Sequence, residues 1–389
     1  MTLDPFNAFV EHAPQAPSAS GALTGVTIGV KANIAVKGLH WTAGMALFRN
    51  RIAERDAEVV ARLRTAGASI TGMLNMEEAA LGAKTDNPWF GATHNPHRMG
   101  HTPGGSSGGS GAAVAAGLCD AALGTDTMGS VRIPAAYCGI YGFKPAQTRV
   151  SQDGLELAEP SLDAIGPLAR SLVLLESVAR VISEVGEEDT AGGYATLAAL
   201  GGVECDAAVL QGFGAARSAI SEVAEIALPH KLSRIRFAGF IKTVRFMARH
   251  FADADPALLS DHLKRLIAYG PRRSDADWAE DQRVLAETAE ALHRSLALYG
   301  ALLLPTAPQT AFAHADTAPA NQADFTCLAN IAGLPALSLP AGFSADGLPV
   351  GVQLLGLPGQ ESALFARARA LDTALNAYHP PATAKEPPP

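Results

Sequence analysis

The sequence predicts an α/β fold in which a β-sheet lies at the centre and helices pack against it. Near the N-terminus, short apolar strands alternate with an amphipathic helix, and further short apolar strands that end in proline return near the C-terminus. The chain has 389 residues, of which 48% are hydrophobic, so it has enough apolar material for a large buried core. We therefore expect one large domain or two closely packed ones.

The predicted strands share a short apolar run bounded by polar, glycine or proline residues. They cover residues 26–30, 68–71, 121–123, 301–305 and 336–340. The first strand ends on Lys31. Between the first two, Asp56 opens an amphipathic helix that places Val59, Val60 and Leu63 inward and closes at Gly67. Residues 108–117 are rich in alanine and favour a helix packed closely against its neighbours.

From about residue 186 to 300 the apolar spacing becomes helical, which predicts a helical cap or insertion. The residues that share helix faces there are Leu259, Leu263, Leu266 and Ile267, and then Leu285, Leu292, Leu296 and Tyr299. The proline-rich residues 379–389 predict a disordered, solvated tail.

Charge and composition exclude several classes of function. The net charge of −8 argues against nucleic-acid binding, so we expect a small or neutral partner. No apolar run is long enough to span a membrane, and the first residues do not resemble a signal peptide, so a cytoplasmic location and no membrane partner are expected. The four cysteines form no CxxC pair and are interpreted as core residues.

A metal site is not predicted either. His94, His97 and His101 lie close together, but their loop is rich in glycine and proline and offers no carboxylate or cysteine partner. We interpret them as surface residues and expect neither a metal nor another cofactor.

Residues 82–111 are irregular and rich in glycine, proline and serine, and so long a loop in a compact domain is usually functional. A phosphate-binding Walker loop would need a lysine after Gly109, where Ser110 stands. Residues 104–108 match G-x-S-x-G, but no strand precedes them as a nucleophile elbow requires. A flexible linker would mark a domain boundary, yet helix and strand patterns resume on both sides. The pattern S-x-x-K does not occur.

A second serine, Ser130, lies within residues 124–134, after a small turning loop whose N–H groups can converge on a developing oxyanion. The run GGSSGGSGAAVAAGLCDAALGTDTMGSVRIPAA closely resembles the signature of the amidase-signature family. YCGIYGFKPAQTRVS and SLDAIGP resemble its continuation, and GVKANI and FTCLANIAGLPALSLPAG resemble two further blocks. The resemblance covers nearly the whole chain except the helical segment.

The resemblance implies the amidase-signature fold, with a mixed central β-sheet covered on both faces by helices. It implies a single domain over residues 1–378, with a core of 20–185 and 300–378 and the helical insertion at about 186–300. By similarity, Ser130 is the nucleophile, Ser106 the bridging serine after a cis peptide bond, and Lys31 the general base. A lysine can act as a base only when neutral, and burial at the end of an apolar strand lowers its pKa.

The resemblance further implies an oxyanion loop in which Thr127, Met128 and Gly129, together with Ser130 itself, act through their N–H groups. The family most often has glycine where Met128 stands, and a residue with a Cβ does not easily adopt a positive φ. Either the loop needs no positive φ there, as family members with alanine at this position suggest, or the oxyanion hole is perturbed. We expect the first, with Met128 narrowing the substrate pocket. We expect Ser107 to line the site by bonding to the triad. Asp126 and Arg132 are expected to hold the loop in shape.

The implied function is an amidase that hydrolyses a C–N amide bond of a small molecule and releases ammonia or an amine. Alternatives are an ammonia-supplying subunit of a glutamine-dependent amidotransferase and a hydrolase of carbamates or ureides; the intact serine and lysine set disfavours a binding-only role. A homodimer is compatible with the sequence. The phenylalanines of the helical segment either build an acyl pocket or form its core, and they are Phe237, Phe240, Phe246 and Phe251.

Overall fold

The protein was analysed as a computed structural model that describes residues 4–183, 185 and 192–382. Its strands are β1 (Phe9–Gln15), β2 (Thr27–Lys31), β3 (Ser69–Leu74), β4 (Asp86–Asn87), β5 (Gly91–Ala92), β6 (Ala121–Asp126), β7 (Tyr141–Lys144), β8 (Ala164–Ala169), β9 (Tyr194–Leu197), β10 (Val223–Ile226), β11 (Ala301–Pro305), β12 (Ala336–Phe343) and β13 (Pro349–Leu355). Its helices are α1 (Glu58–Thr65), α2 (Gly108–Ala115), α3 (Arg132–Tyr137), α4 (Leu172–Ile182), α5 (Ala207–Ser218), α6 (Leu232–His250), α7 (Asp261–Ile267), α8 (Tyr269–Arg272), α9 (Asp275–Tyr299), α10 (Cys327–Ile331) and α11 (Glu361–Leu375).

Eleven of these strands form one sheet in the order β1-β3-β2-β6-β8-β7-β12-β13-β11-β9-β10. Strand β2 is parallel to both of its neighbours, β3 and β6, whereas the strands from β6 to β11 pair in antiparallel fashion. Strands β9 and β10 are again parallel to their neighbours. The mixed central sheet that the resemblance implied is therefore confirmed.

Helices cover both faces of this sheet. Successive residues of a strand point to opposite faces, and along β6 Ala122 packs in one buried cluster while Ala121 and Leu123 pack in another. The cluster around Ala122 includes residues of α2 and α3, and the cluster around Leu123 includes residues of α1 and α4. Each face is thus buried under its own helices, as the α/β prediction requires.

The predicted elements around Lys31 are confirmed. Strand β2 ends on Lys31, and α1 buries Val59, Val60 and Leu63 as its apolar spacing indicates. The chain turns from α1 into β3 at Gly67, where φ is +98°, a conformation that glycine adopts readily.

In the segment from 186 to 300, the described residues 192–300 form helices α5 to α9, in line with the helical spacing. They also form β9 and β10, which extend the central sheet beyond β11 and which the sequence analysis does not anticipate. Both are four-residue strands, too short to show a clear period. Residues 186–191 at the predicted boundary, and 383–389 of the predicted tail, lie outside the described residues.

Within the described ranges, no helix combines the length and the apolar character needed to cross a membrane. Helix α6 packs against α8, α9 and α10. Helix α10 belongs to the block that begins at residue 325 and resembles the family, so α6 lies close to this block.

Candidate active site

The side chain of Lys31 lies where two parallel strands end. Lys31 is the last residue of β2, and Thr125 lies near the end of the adjacent β6. Because parallel strands present their carboxyl ends at the same edge, the two side chains meet. Lys31 Nζ donates to Thr125 Oγ1 at 2.7 Å and to Ser106 Oγ at 2.7 Å, and all three residues are buried. The structure therefore brings together the predicted base and the predicted bridging serine.

The ammonium group of Lys31 is destabilised by its surroundings. Burial lowers the pKa of Lys31 to about 7, and the carboxylates of Asp163, Asp126 and Glu77 only partly oppose this effect. Roughly half of the Lys31 side chains would then be neutral at pH 7. A neutral amine that accepts a proton from Ser106 is the species that general-base catalysis requires.

Ser106 is held in place through its backbone. The Gly105–Ser106 peptide bond is cis, as the resemblance implied, and the carbonyl of Ser106 accepts the N–H of Glu77 at 3.0 Å. A Cβ on Gly105 would lie 2.8 Å from backbone atoms of Ala83 and Lys84. Only glycine fits there, so the residue before Ser106 is dictated by close backbone packing.

Ser130 lies in the loop between β6 and α3 and is 8% exposed. The N–H of Ser107 donates to the Ser130 carbonyl at 3.3 Å, which ties the residue after Ser106 to the predicted nucleophile. Within the described part of the chain, the Ser130 hydroxyl forms no hydrogen bond. The Ser130 to Ser106 contact is therefore not formed in this structure, and the relay belongs to the proposed mechanism.

Ser107 does not bond to Lys31, Ser106 or Ser130 through its hydroxyl, which differs from our expectation. Its Oγ donates to the carbonyl of Thr125 at 3.1 Å and accepts the Thr125 N–H at 3.2 Å. This occurs because Ser107 precedes α2, where its side chain faces β6. Ser107 thus fastens the strand that carries Thr125.

The loop from Thr127 to Ser130 is held by a contact at each residue before Ser130. Thr127 Oγ1 donates to Asp163 Oδ1 at 2.6 Å, and the carbonyl of Met128 accepts Thr326 Oγ1 at 2.7 Å. Gly129 has φ of +132°, and a Cβ there would lie 2.2 Å from Thr326 Oγ1. The loop geometry therefore requires glycine at position 129.

The N–H groups of this loop are not equivalent. The N–H of Gly129 donates to Asp126 Oδ1 at 2.7 Å, so it stabilises the loop and is not directed at a substrate. The N–H groups of Thr127, Met128 and Ser130 meet no acceptor among the described residues. These three, rather than Gly129, are the candidate donors for an oxyanion.

Met128 has no positive φ, which agrees with the expectation that the loop needs no glycine there. Its side chain is partly buried and extends toward α6, where a Cβ on Gly239 would lie 3.1 Å from Met128 Cε. Met128 therefore packs against α6 next to the site. Whether it limits the substrate remains a prediction.

Asp126 and Arg132 form a buried ion pair that holds the loop. Arg132 donates to both carboxylate oxygens of Asp126, at 3.0 and 2.9 Å, and its other N–H groups reach Asn330 Oδ1 at 2.7 Å and Gln353 Oε1 at 2.8 Å. Burial would raise the pKa of Asp126, but the charge and hydrogen bonds of Arg132 lower it to about 2. The carboxylate therefore stays ionised and keeps its bond to the loop.

Sequence reasoning missed three residues that complete the site: Thr125, Asp163 and Asn330. Asn330 Nδ2 donates to the carbonyl of Asp126 at 2.8 Å and to its carboxylate at 2.9 Å. Asp163 accepts Thr127 and two backbone N–H groups, and burial raises its pKa to about 6. All three stand within the blocks that resemble the family, but the blocks do not indicate which partners these residues bind.

His94 and His97, two of the three histidines in the glycine- and proline-rich loop, contact other parts of the protein. A ring nitrogen of His97 lies 3.1 Å from the Cys138 carbonyl, and the ring of His94 packs edge-on against His314. In the described ranges, no group of three or more histidine, cysteine or acidic side chains is arranged to hold a metal ion.

Comparisons with known proteins point to one family. A family model described as Amidase matches residues 7–192 and 194–365 of the chain. A glutamyl-tRNA(Gln) amidotransferase subunit from Methanospirillum hungatei is 47% identical over 180 residues, which cover 46% of this chain and 42% of that protein. The chain thus matches less than half the length of this curated relative.

Solved structures agree over nearly the whole chain. The corresponding glutamyl-tRNA(Gln) amidotransferase subunit from Thermotoga maritima has a TM-score of 0.87 and 28% identity, with 98% of this chain and 92% of that one covered. A protein from a vestigial complex that bears on the origins of an s-triazine catabolic enzyme has a TM-score of 0.87 and 26% identity, with 96% and 92% covered.

The buried ion pair of Asp126 and Arg132 should make the stability of the protein depend on both residues. Replacing Arg132 with methionine leaves the Asp126 carboxylate buried and uncompensated, so we expect a loss of about 3–5 kcal/mol in the free energy of unfolding. The matched control is Arg294→Met, which breaks an exposed pair with Glu290 and should cost about 0–1 kcal/mol. Denaturant titration measures both, and equal small losses would contradict the role given to Arg132.

Proposed function

The chain belongs to the amidase family, and from this premise we propose that it hydrolyses a C–N amide bond of a small molecule through an acyl-enzyme on Ser130. As a member of this family it is a hydrolase that acts on amide C–N bonds. The observation that carries the proposal is the 2.7 Å contact between Lys31 Nζ and Ser106 Oγ. The next residue, Ser107, donates its N–H to the carbonyl of Ser130. Residues 106 and 107 therefore link the proposed base, Lys31, to the loop that carries the proposed nucleophile.

In the acylation step, Ser130 Oγ attacks the amide carbonyl carbon. Its proton passes to Ser106 Oγ while the Ser106 proton passes to Lys31 Nζ, so Lys31 gains the positive charge. The bond from Ser107 N–H to the Ser130 carbonyl supports this route because it keeps the two serines on adjoining backbone segments. The carbonyl oxygen becomes an oxyanion as the new C–O bond forms.

The oxyanion is stabilised by backbone N–H groups that need not move during the reaction. We assign this role to Thr127, Met128 and Ser130, since the Gly129 N–H is bonded to Asp126. Two carboxylates hold this loop in place: Asp126 accepts the N–H of Gly129, and Asp163 accepts the hydroxyl of Thr127.

Collapse of the tetrahedral intermediate breaks the C–N bond. The proton held on Lys31 returns through Ser106 to the leaving nitrogen, which departs as ammonia or an amine. Water then attacks the acyl group on Ser130 with the same base, and the acid is released while Ser130 regains its proton.

A second candidate function is supply of ammonia to an amidotransferase. The 47% identity to a protein named as a glutamyl-tRNA(Gln) amidotransferase subunit favours it, although that match covers 42% of the relative. In that case glutamine would be hydrolysed fast only when a partner protein is added. Glutamine and simple primary amides assayed for ammonia release by the purified chain alone separate the two candidates.

Carbamates and ureides remain candidate substrates because they present the same carbonyl to the nucleophile. Ammonia release from a panel of primary amides, carbamates and ureides therefore defines the substrate class.

We expect Ser130→Ala to abolish ammonia release, because only Ser130 forms the acyl bond. Ser107→Ala is the matched control and should retain much of the activity, since its hydroxyl contacts only the backbone of Thr125. A fluorophosphonate probe should label Ser130, as mass mapping would show. A label on Ser106 would transfer the nucleophile to the G-x-S-x-G segment and overturn the triad.

The pH dependence should report Lys31. Because burial lowers its pKa to about 7, protonation below that pH removes the base, and kcat/KM should fall about tenfold per pH unit below 7 while staying level just above it. Lys31→Arg should be nearly inactive, because arginine does not deprotonate in proteins.

The Asp163→Asn variant is the control for this assignment. The Asp163 carboxylate raises the pKa of Lys31, so its removal should shift the acidic limb of the profile to lower pH, whatever its effect on the maximal rate. A limb that stays in place in Asp163→Asn, or an active Lys31→Arg enzyme, would show that another group is the base.

A further inference from the structure

A cleft of about 420 Å³ lies along α6, the helix that packs against Met128, and no step of the proposed mechanism uses it. We name it the cationic cleft, and its lining residues are Glu159, Lys242, Phe246, Arg249, His250 and Trp278. We propose that it binds a carboxylate carried by the substrate, so that the preferred substrate is an amide with an anionic group several carbon atoms from the scissile bond. This inference rests on the proposed amidase function and names its substrate class.

One wall of the cationic cleft starts at the nucleophile loop through α6. Met128 Cε packs against Gly239 of this helix, and Lys242 follows three residues later on the same side. At about 1.5 Å of rise per residue, Lys242 is about 4.5 Å and Arg249 about 15 Å further along the helix axis. The cationic cleft therefore runs outward along α6 from the loop.

The opposite wall is connected to the same loop. The N–H of Glu159 donates to Asp163 Oδ2 at 3.0 Å, and Asp163 Oδ1 accepts the hydroxyl of Thr127. Each wall is thus a short chain of contacts away from Thr127 and Met128. In this proposal, the carbonyl of the substrate lies at this loop and the rest of the substrate extends toward the cationic cleft.

The charge of the cationic cleft favours an anion. Lys242 and Arg249 are seven residues apart on α6, which places them on one face, and neither forms an ion pair with any described residue. In contrast, Arg234 and Arg236 of the same helix are paired with Asp281 and Asp324. Two cations without carboxylate partners in one cleft are available to a ligand.

The other charged groups of the cationic cleft are already engaged. The Glu159 carboxylate accepts the N–H and the hydroxyl of Ser161, at 2.8 and 2.6 Å. His250 Nε2 lies 2.7 Å from Glu156 Oε1. Neither group neutralises Lys242 or Arg249 by direct contact.

Aromatic rings line the space between the two cations. Phe246 lies between Lys242 and Arg249 in sequence, and its ring stacks on His250 at 5.4 Å with an interplanar angle of 16°. Trp278 of α9 also lines the cationic cleft. Aromatic rings beside two cations suit a carbon chain that ends in a carboxylate, which a guanidinium binds through paired hydrogen bonds.

The test compares two amide series by ammonia release from the purified chain. One series is the monoamides of straight-chain dicarboxylic acids with four to eight carbons, and the other is the neutral straight-chain primary amides of the same lengths. The measured quantity is the ratio of kcat/KM for the anionic amide to that for its neutral counterpart. We expect this ratio to exceed about ten at the best length, because a charge-assisted contact is worth about one factor of ten or more.

The variants change the charge of the cationic cleft in both directions. Lys242→Gln and Arg249→Gln should each lower the ratio about tenfold, and Glu159→Gln should raise it because it removes the opposing negative charge. Arg294→Gln is the control: it removes an exposed cation of α9 outside the cationic cleft and should leave the ratio unchanged.

The outcomes separate this inference from the proposed function. A ratio near one in the unaltered chain, or a ratio that Lys242→Gln and Arg249→Gln do not move, overturns the carboxylate site while the amidase function stands. Ammonia release from neither series overturns the proposed function, and the carboxylate site with it.

Discussion

The burial of Lys31 is the constraint on which the rest of the site depends. An amine removed from water loses the solvation of its charged form, so the neutral form becomes accessible near pH 7. It must still have hydrogen-bond partners, and two hydroxyls, from Thr125 and Ser106, serve this need. Both come from segments that the fold brings to the end of β2: the adjacent parallel strand β6 and the backbone after the cis peptide bond.

Negative charge around the site acts on both Lys31 and the loop from Thr127 to Ser130. Asp126 and Asp163 each hold a different residue of this loop, and both also oppose the neutralisation of Lys31. Arg132 keeps the Asp126 carboxylate ionised, so that its bond to Gly129 persists. The pKa of Lys31 is thus set by a balance between burial and the carboxylates that hold the loop from Thr127 to Ser130. A change in these carboxylates affects both the geometry of the loop and the basicity of Lys31.

Much of the fold around the site could be predicted from the sequence, because local patterns determine it. The apolar run before Lys31, the inward face of α1 and the alanine-rich α2 all follow from spacing and composition. Thr125, Asp163 and Asn330 could not be assigned, since their partners lie tens to hundreds of residues away in sequence and only the sheet order brings them together. The engagement of the Gly129 N–H and of the Ser107 hydroxyl likewise depends on neighbours that no local pattern indicates.

The ionisation of Lys31 itself tests the central claim most directly. Lysine side chains labelled with ¹³C at Cε can be titrated by NMR, and the Lys31 signal is the one that disappears in Lys31→Met. This assignment also distinguishes it from the signal of Lys144, a second buried lysine whose pKa burial lowers to about 7. The account predicts that the Lys31 signal titrates near pH 7. A Lys31 signal that remains that of an ammonium group up to about pH 10, the ordinary range for lysine, would contradict it.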